Sequence, residues 1–215
     1  MRQDRLHSLL DLAFQVPEIL YAVDSTTAED LRDSQGDLAR QLEIQETALS
    51  TWLSNYSVKG TAPAIVNGDL AVGHIPKPIT SYDAKNSIFN LTCETLCRIC
   101  HLLIVESLVK MVGQTSPSLS PCPAPNTCAI DLRNAMIMLE EAAGTPICKA
   151  RVMSAPLHFL SGYYKRQEDD AGMRWTRKTK EALKSQAPYL HWDALLPWCL
   201  LTLNEIPHYD ADPYA

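Results

Sequence analysis

The sequence predicts an all-α fold: a single-domain bundle of about seven helices around a buried central helix at residues 81–112. The strongest observation is residues 88–112, IFNLTCETLCRICHLLIVESLVKMV, which contain no Pro or Gly and place apolar residues on nearly every side of a helical projection. Such a helix must be surrounded by other helices. The composition agrees, because 8 Gly and 3 Phe among 215 residues leave little for strands joined by Gly-rich turns. An apolar share of 46% fits one globular domain.

The first part of the chain predicts two helical segments. Residues 3–14 form a short amphipathic helix that Pro17 closes, and one further turn follows at 19–23. The Ser-Thr-Thr run at 25–27, with acidic residues behind it, predicts the N-cap of the next helix. That helix reaches about Tyr56, because apolar residues recur at helical spacing: Leu31, Leu38, Leu42, Leu49, Trp52, Leu53 and Tyr56.

Proline and glycine divide the segments on either side of the central helix. Residues 58–80 carry three Pro and three Gly and predict a loop, and the Pro- and Ser-rich residues 113–126 predict a surface connection. A helix from Thr127 to Ala143 should end at Gly144, since Pro146 follows it closely.

The last third of the chain predicts three further helices. Residues 147–167 are helical, with a kink or a break at Pro156. Residues 171–186 form an exposed basic helix, and 189–203 an apolar helix rich in Trp and Leu. The domain therefore covers residues 1–204, and we expect residues 205–215 to be a disordered tail.

Charge and targeting signals exclude several classes of function. The net charge of −6 argues against direct nucleic-acid binding, which needs a basic surface. The N-terminal residues do not resemble a signal peptide, and residues 99–112 are too short and too polar to span a bilayer. We expect a protein of the nucleus or cytoplasm that has no membrane contact and whose seven cysteines are reduced.

Three cysteines of the central helix raise the question of a metal site. Cys93, Cys97 and Cys100 stand at i, i+4 and i+7 beside His101, a set that could bind zinc. The same face continues as three aliphatic or thioether side chains, Ile104, Leu108 and Met111. Because reduced Cys packs as a small hydrophobe, the pattern favours a core face, and we predict neither a metal nor a cofactor.

The candidate catalytic residues are His101, Arg98, His158 and Tyr163. Arg98 follows Glu94 at i+4, so a helix-stabilising ion pair explains these two residues. His101 is either a hydrogen-bonded structural residue or an acid–base group. A second alternative is a pocket for a small apolar ligand between helices, formed by a larger aromatic and basic set: Arg151, His158, Tyr163, Tyr164, Trp192 and Trp198.

A basic stretch between residues 165 and 184 has a similar pair of interpretations. Its cations suit a phosphate-contacting helix, but acidic residues are interleaved with them, which favours a solvated surface of mixed charge.

Four stretches of the chain together resemble the regulatory region of fungal binuclear zinc-cluster transcription factors. They are LEIQETALSTWLSNY, SIFNLTCETLCRICHLLIVESLV, LRNAMIMLEEAAGTPICKARVMSAPLHFLSGYY and HWDALLPWCLLTL. The resemblance covers most of residues 38–203 and implies an all-helical regulatory region. The family's six-cysteine DNA-binding element has no counterpart, because the spacing of the available cysteines does not fit it: Cys93, Cys97, Cys100, Cys122, Cys128 and Cys148.

Two functional hypotheses remain open from the sequence. The resemblance implies a transcription regulator that binds a protein partner, a second copy or a small effector, without its own DNA-binding element, in a setting such as secondary metabolism. The alternative is a small-molecule enzyme of isomerase or cyclase type in a fungal biosynthetic pathway. Such an enzyme needs only a shaped cavity between helices and one or two polar groups.

Overall fold

The computed structural model describes residues 2–25, 31–57, 81–112 and 123–188. These ranges contain six helices and no strand: α1 (Arg2–Ser25), α2 (Leu31–Tyr56), α3 (Ser81–Val112), α4 (Pro125–Ala142), α5 (Pro146–Arg166) and α6 (Asp170–Gln186). The all-α prediction is confirmed, with six helices in place of about seven. The loop predicted at 58–80, the helix at 189–203 and the tail at 205–215 lie outside the described residues, as do residues 113–122 of the predicted connection. Residues 26–27 of the cap predicted at 25–27 lie outside as well, while Ser25 is the last residue of α1.

The central helix α3 separates two hydrophobic cores. One face of α3 packs against α1 and α2 through Cys93, Cys97, Cys100, Ile104, Leu108 and Met111. Another face, formed by Ile99, Leu102 and Val105, packs in a core with residues of α4, α5 and α6. The half-buried Leu103 contacts both cores. Apolar residues occupy nearly every side of α3 because helices cover it on two faces.

By length and composition alone, Ile88–Met111 could also cross a membrane. Most of this segment is buried against other helices of the protein. Continuous apolarity is expected of a core helix that is covered on two faces.

Proline does not end α1, and the predicted helix at 3–14 was too short. Helix α1 continues through Pro17 to Ser25. Pro17 lacks the N–H that would bond to the carbonyl of Ala13, and its ring crowds that carbonyl, so the proline weakens the helix here. Val16 and Leu20 are buried on either side of the proline, so burial of one apolar face across Pro17 maintains the helix.

Helix α5 likewise runs through Pro156 without a break, and Pro156 is among its buried residues. Its first turn is capped by Thr145, whose hydroxyl accepts a hydrogen bond from the Cys148 N–H at 3.3 Å. Gly144 precedes this cap with φ of +67°, a left-handed conformation that ends α4. The predicted stop of α4 is therefore confirmed, while its start lies two residues earlier than predicted, at Pro125.

Candidate functional site

A hydrogen-bonded group surrounds His101 where α2, α3 and α4 meet. His101 is 8% exposed, and its Nε2 lies 3.1 Å from Glu46 Oε1 and 3.2 Å from Ser50 Oγ. The Ser50 hydroxyl donates to the same Glu46 oxygen at 2.8 Å. On the other side of the ring, Nδ1 lies 3.8 Å from the sulfur of Cys128. The imidazole therefore joins a carboxylate on α2 to a thiol on α4.

These contacts assign a tautomer to the imidazole. An ionised Glu46 only accepts hydrogen bonds, so the ring nitrogen facing it carries the proton. In the tautomer that carries its proton on Nε2, Nδ1 holds a lone pair directed at the thiol of Cys128. A carboxylate that orients a histidine, which in turn faces a nucleophilic atom, is the general arrangement of thiol and hydroxyl nucleophiles with an adjacent base.

A second polar group lies one helical turn away on α3. Arg98 Nη2 donates to Glu94 Oε1 at 2.8 Å, which is the ion pair expected from the i, i+4 spacing. The Ser57 hydroxyl donates to the same oxygen at 2.7 Å, and Arg98 Nη1 reaches Asp131 Oδ2 on α4 at 3.5 Å. Glu94 is only 4% exposed, so these donors offset the cost of burying its charge.

Tyr163 completes the polar residues near α4. Its hydroxyl donates to Asn126 Oδ1 at 2.5 Å. Burial is the main cause that raises the pKa of Tyr163 to about 12, and the nearby carboxylate of Glu106 adds to it. The phenol therefore stays protonated at neutral pH and acts as a hydrogen-bond donor.

His158 lies apart from the other three candidates, on the side of α5 that meets α6. Burial lowers the pKa of its imidazole below 6.5, and the positive charge of Lys180 on α6 lowers it further. The pocket hypothesis groups His158 with Tyr163, Tyr164 and Arg151, but Arg151 is exposed and both tyrosines are buried in the second core. The described part of this set does not converge on one site, and Trp192 and Trp198 lie outside the described residues.

The first two turns of α4 bring together three of the four sequence-predicted residues. Asn126 bonds to Tyr163, Cys128 lies against His101, and Asp131 pairs with Arg98. These partners come from different helices, so no spacing within one segment of the sequence relates them.

Glu46 and Ser50 were also missed, although the sequence carried a signal for Glu46. Leu42, Glu46, Leu49 and Leu53 stand at spacings of four, three and four residues on α2, so an acidic residue occupies a position in an apolar stripe. A carboxylate at such a position needs a buried partner. His101 is that partner.

The cysteines of α3 belong to the first core, as the apolar continuation of their face predicts. Cys93, Cys97 and Cys100 are all buried there. No group of three metal-ligating side chains converges within the described ranges. At His101 the geometry explains why: the thiol and the carboxylate contact opposite nitrogens of one ring and cannot reach the same ion.

The outer face of α1 carries an apolar stripe in addition to the buried inner face. Phe14 is 74% exposed and Tyr21 is 66% exposed, and the half-buried Leu10 and Pro17 lie on the same face. These four residues, which we call the outer stripe, recur at spacings of four, three and four residues. That spacing is typical of a helix face that packs against another helix.

Comparison of the chain with models of protein families, with curated proteins and with solved structures gave no match.

Proposed function

We propose that the protein is a regulatory module of the fungal zinc-cluster transcription-factor type, which acts in the nucleus or cytoplasm by binding a protein partner and does not contact DNA itself. The observation that carries this proposal is the outer stripe of α1. Two large apolar side chains that are mostly exposed on one helix face favour a surface that another helix covers. A second copy of the chain and a different regulator both suit such a surface.

The distribution of the resembling segments supports the same proposal. LEIQETALSTWLSNY lies in α2, SIFNLTCETLCRICHLLIVESLV in α3, and the third segment covers most of α4 and all but the end of α5. The helices of all three segments contribute to the two cores that share α3, and such packing is expected of a helical regulatory region. The net charge of −6 supports a function through protein contacts rather than through phosphate contacts.

Sedimentation of the purified protein over a range of concentrations tests the outer stripe. We expect the wild type to self-associate, or to bind a co-expressed regulator, and the double substitution Phe14→Glu with Tyr21→Glu to abolish that association. The matched control is Ile130→Glu, which introduces the same charge at a side chain that is 56% exposed on α4. If both proteins stay strictly monomeric and no partner or ligand raises the melting temperature, the proposal is wrong.

The enzyme hypothesis is the second candidate, and the contact between His101 and Cys128 is the observation that favours it. Deletion of the gene separates the two functions. Loss of transcripts from neighbouring biosynthetic genes supports the regulator. An accumulated intermediate with unchanged transcripts supports an isomerase or cyclase.

A further inference from the structure

Cys128 differs from the other buried cysteines in what surrounds its sulfur. Burial raises the pKa of Cys93 and of Cys97, and raises that of Cys100 to about 12. These three thiols stay protonated at neutral pH and are poor nucleophiles. The sulfur of Cys128 instead lies 3.8 Å from the lone-pair nitrogen of His101.

The position of Cys128 on its helix also favours a thiolate. Cys128 is the fourth residue of α4, and its N–H bonds to the carbonyl of Ala124 at 3.3 Å. The peptide dipoles of a helix favour negative charge at its first turn. Cys128 is as buried as Cys93, so burial opposes its ionisation too, whereas the helix N-terminus and the adjacent base His101 favour it.

We propose that Cys128 is a nucleophilic thiol that forms mixed disulfides with small disulfides, with His101 accepting the thiol proton and Glu46 stabilising the imidazolium. The proposal goes beyond the binding of a partner at α1 and does not depend on it. It assigns a covalent, reversible modification site at the junction of α2, α3 and α4.

The reaction balances with the disulfide as the oxidant. The proton of the thiol moves to Nδ1 of His101, and the thiolate attacks one sulfur of the small disulfide. A new bond forms between Cys128 Sγ and that sulfur, and the original S–S bond breaks. The other half leaves as a thiolate, which takes the proton from His101 and departs as a thiol. Cys128 is oxidised and the small disulfide is reduced.

Access requires a local opening of the protein, because Cys128 is 4% exposed. Its neighbours Asn126, Thr127 and Asp131 are exposed, so this end of α4 borders solvent. The thiol proton passes to His101 in the closed structure, and we expect the thiolate to meet the reagent in a local opening of this end of α4. A bulky adduct on Cys128 cannot return to the contact with His101. Modification therefore separates α4 from the polar group on α2 and α3, and we expect it to lower the melting temperature.

The test uses glutathione disulfide and, separately, iodoacetamide on the whole folded protein at about pH 7, with the rate at each cysteine followed by peptide mass spectrometry. Cys148 is an internal control, since it also lies in the first turn of a helix, α5, and is more exposed than Cys128. Its described contact is from its backbone N–H to Thr145, and no imidazole contact is described for its thiol. The variant His101→Gln keeps an amide that can bond to Glu46 but cannot accept the thiol proton. Glu46→Gln keeps the shape of the carboxylate and removes its charge.

We expect His101→Gln to slow modification of Cys128 about ten-fold or more at pH 7, because the thiolate fraction changes ten-fold for each unit of thiol pKa. The rate at Cys148 should not change. As the pH is raised toward about 9 the difference should shrink, since solvent then removes a growing share of the thiol protons without His101. Glu46→Gln should also slow the modification of Cys128, but by a smaller factor. It serves as the test if His101→Gln does not fold.

Two results would overturn the proposal. One is a rate at Cys128 that neither variant changes relative to Cys148. The other is a folded wild type in which Cys148 is modified while Cys128 stays unmodified. Both results leave the association of α1 unaffected, so this proposal and the proposed function fail independently.

Discussion

The two cores of the molecule share α3 but are assembled differently. The core with α1 and α2 is built mainly from aliphatic side chains and thiols, together with Trp52 and Met111. Gln45 of α2 joins this core to α1 by donating to the Leu12 carbonyl at 2.8 Å. The core with α4, α5 and α6 depends on a close fit. A Cβ on Gly172 of α6 would lie 2.4 Å from Cγ of Tyr164. The first core thus follows from the apolar pattern of the helices, whereas the second also requires a particular shape.

The largest effect should come from removing a fully buried leucine in either core. Leu42 on α2 and Leu160 on α5 are both 0% exposed. We expect Leu42→Ala and Leu160→Ala each to lower the free energy of unfolding by about 2–5 kcal/mol, through lost burial and the cavity that remains. Because α3 belongs to both cores, each variant should shift one common transition in chemical denaturation followed by circular dichroism. Two separate transitions, each sensitive to one variant only, would show that the cores fold independently.

Gly172 tests the close fit of the second core. We expect Gly172→Ala to lower the free energy of unfolding by about 1–3 kcal/mol, because the added methyl group must displace the buried ring of Tyr164. Gly36→Ala is the matched control. Gly36 lies inside α2 with nothing within 4 Å of its added Cβ, so this change should stabilise the protein by about 0.5–1 kcal/mol. The prediction fails if the two substitutions change stability in the same direction.

The start of α6 fixes where Gly172 meets Tyr164, and Asp169 fixes the start of α6. Its carboxylate accepts from the N–H groups of Ala171 and Gly172, both at 3.0 Å. We expect Asp169→Ala to cost about 1 kcal/mol, the usual value of a helix cap, measured by thermal unfolding. Asp169→Asn should recover most of this loss, because an amide oxygen also caps a helix. An equal loss in both variants would show that the charge, and not the cap, is what matters.

The sequence predictions succeeded for one helix of the first core and failed for another. The central helix was predicted with its observed limits, because proline- and glycine-rich segments border an uninterrupted apolar run. The continuation of α1 past Pro17 was not predicted, because it depends on burial of Val16 and Leu20 against other helices. Local sequence shows the cost of a proline but does not show what offsets it.

The candidate site was predicted only in part. The pair of Glu94 with Arg98 follows from spacing on one helix, whereas the partners of His101, Arg98 and Tyr163 on α4 were not predicted. On α4 the partner of His101 is Cys128, that of Arg98 is Asp131 and that of Tyr163 is Asn126. Nothing in the sequence of α4 indicates that these residues face α3 or α5. Which residues of two distant segments meet depends on how the helices pack, and the spacing within one segment does not contain that information.

The smallest expected effect concerns His158, which tests whether the contact between α5 and α6 depends on pH. Burial, and secondly Lys180, lower the pKa of His158 below its ordinary 6.5. Between its folded pKa and 6.5 the unfolded chain binds more protons than the folded one, so stability falls as the pH is lowered through this range. We expect His158→Gln to reduce this loss, measured as urea unfolding between about pH 7 and about pH 5. Lys180→Gln should reduce it in the same direction but less, because it removes only the weaker cause. A pH dependence that both variants leave unchanged would mean that the imidazole is as easily protonated in the folded protein as in the unfolded chain.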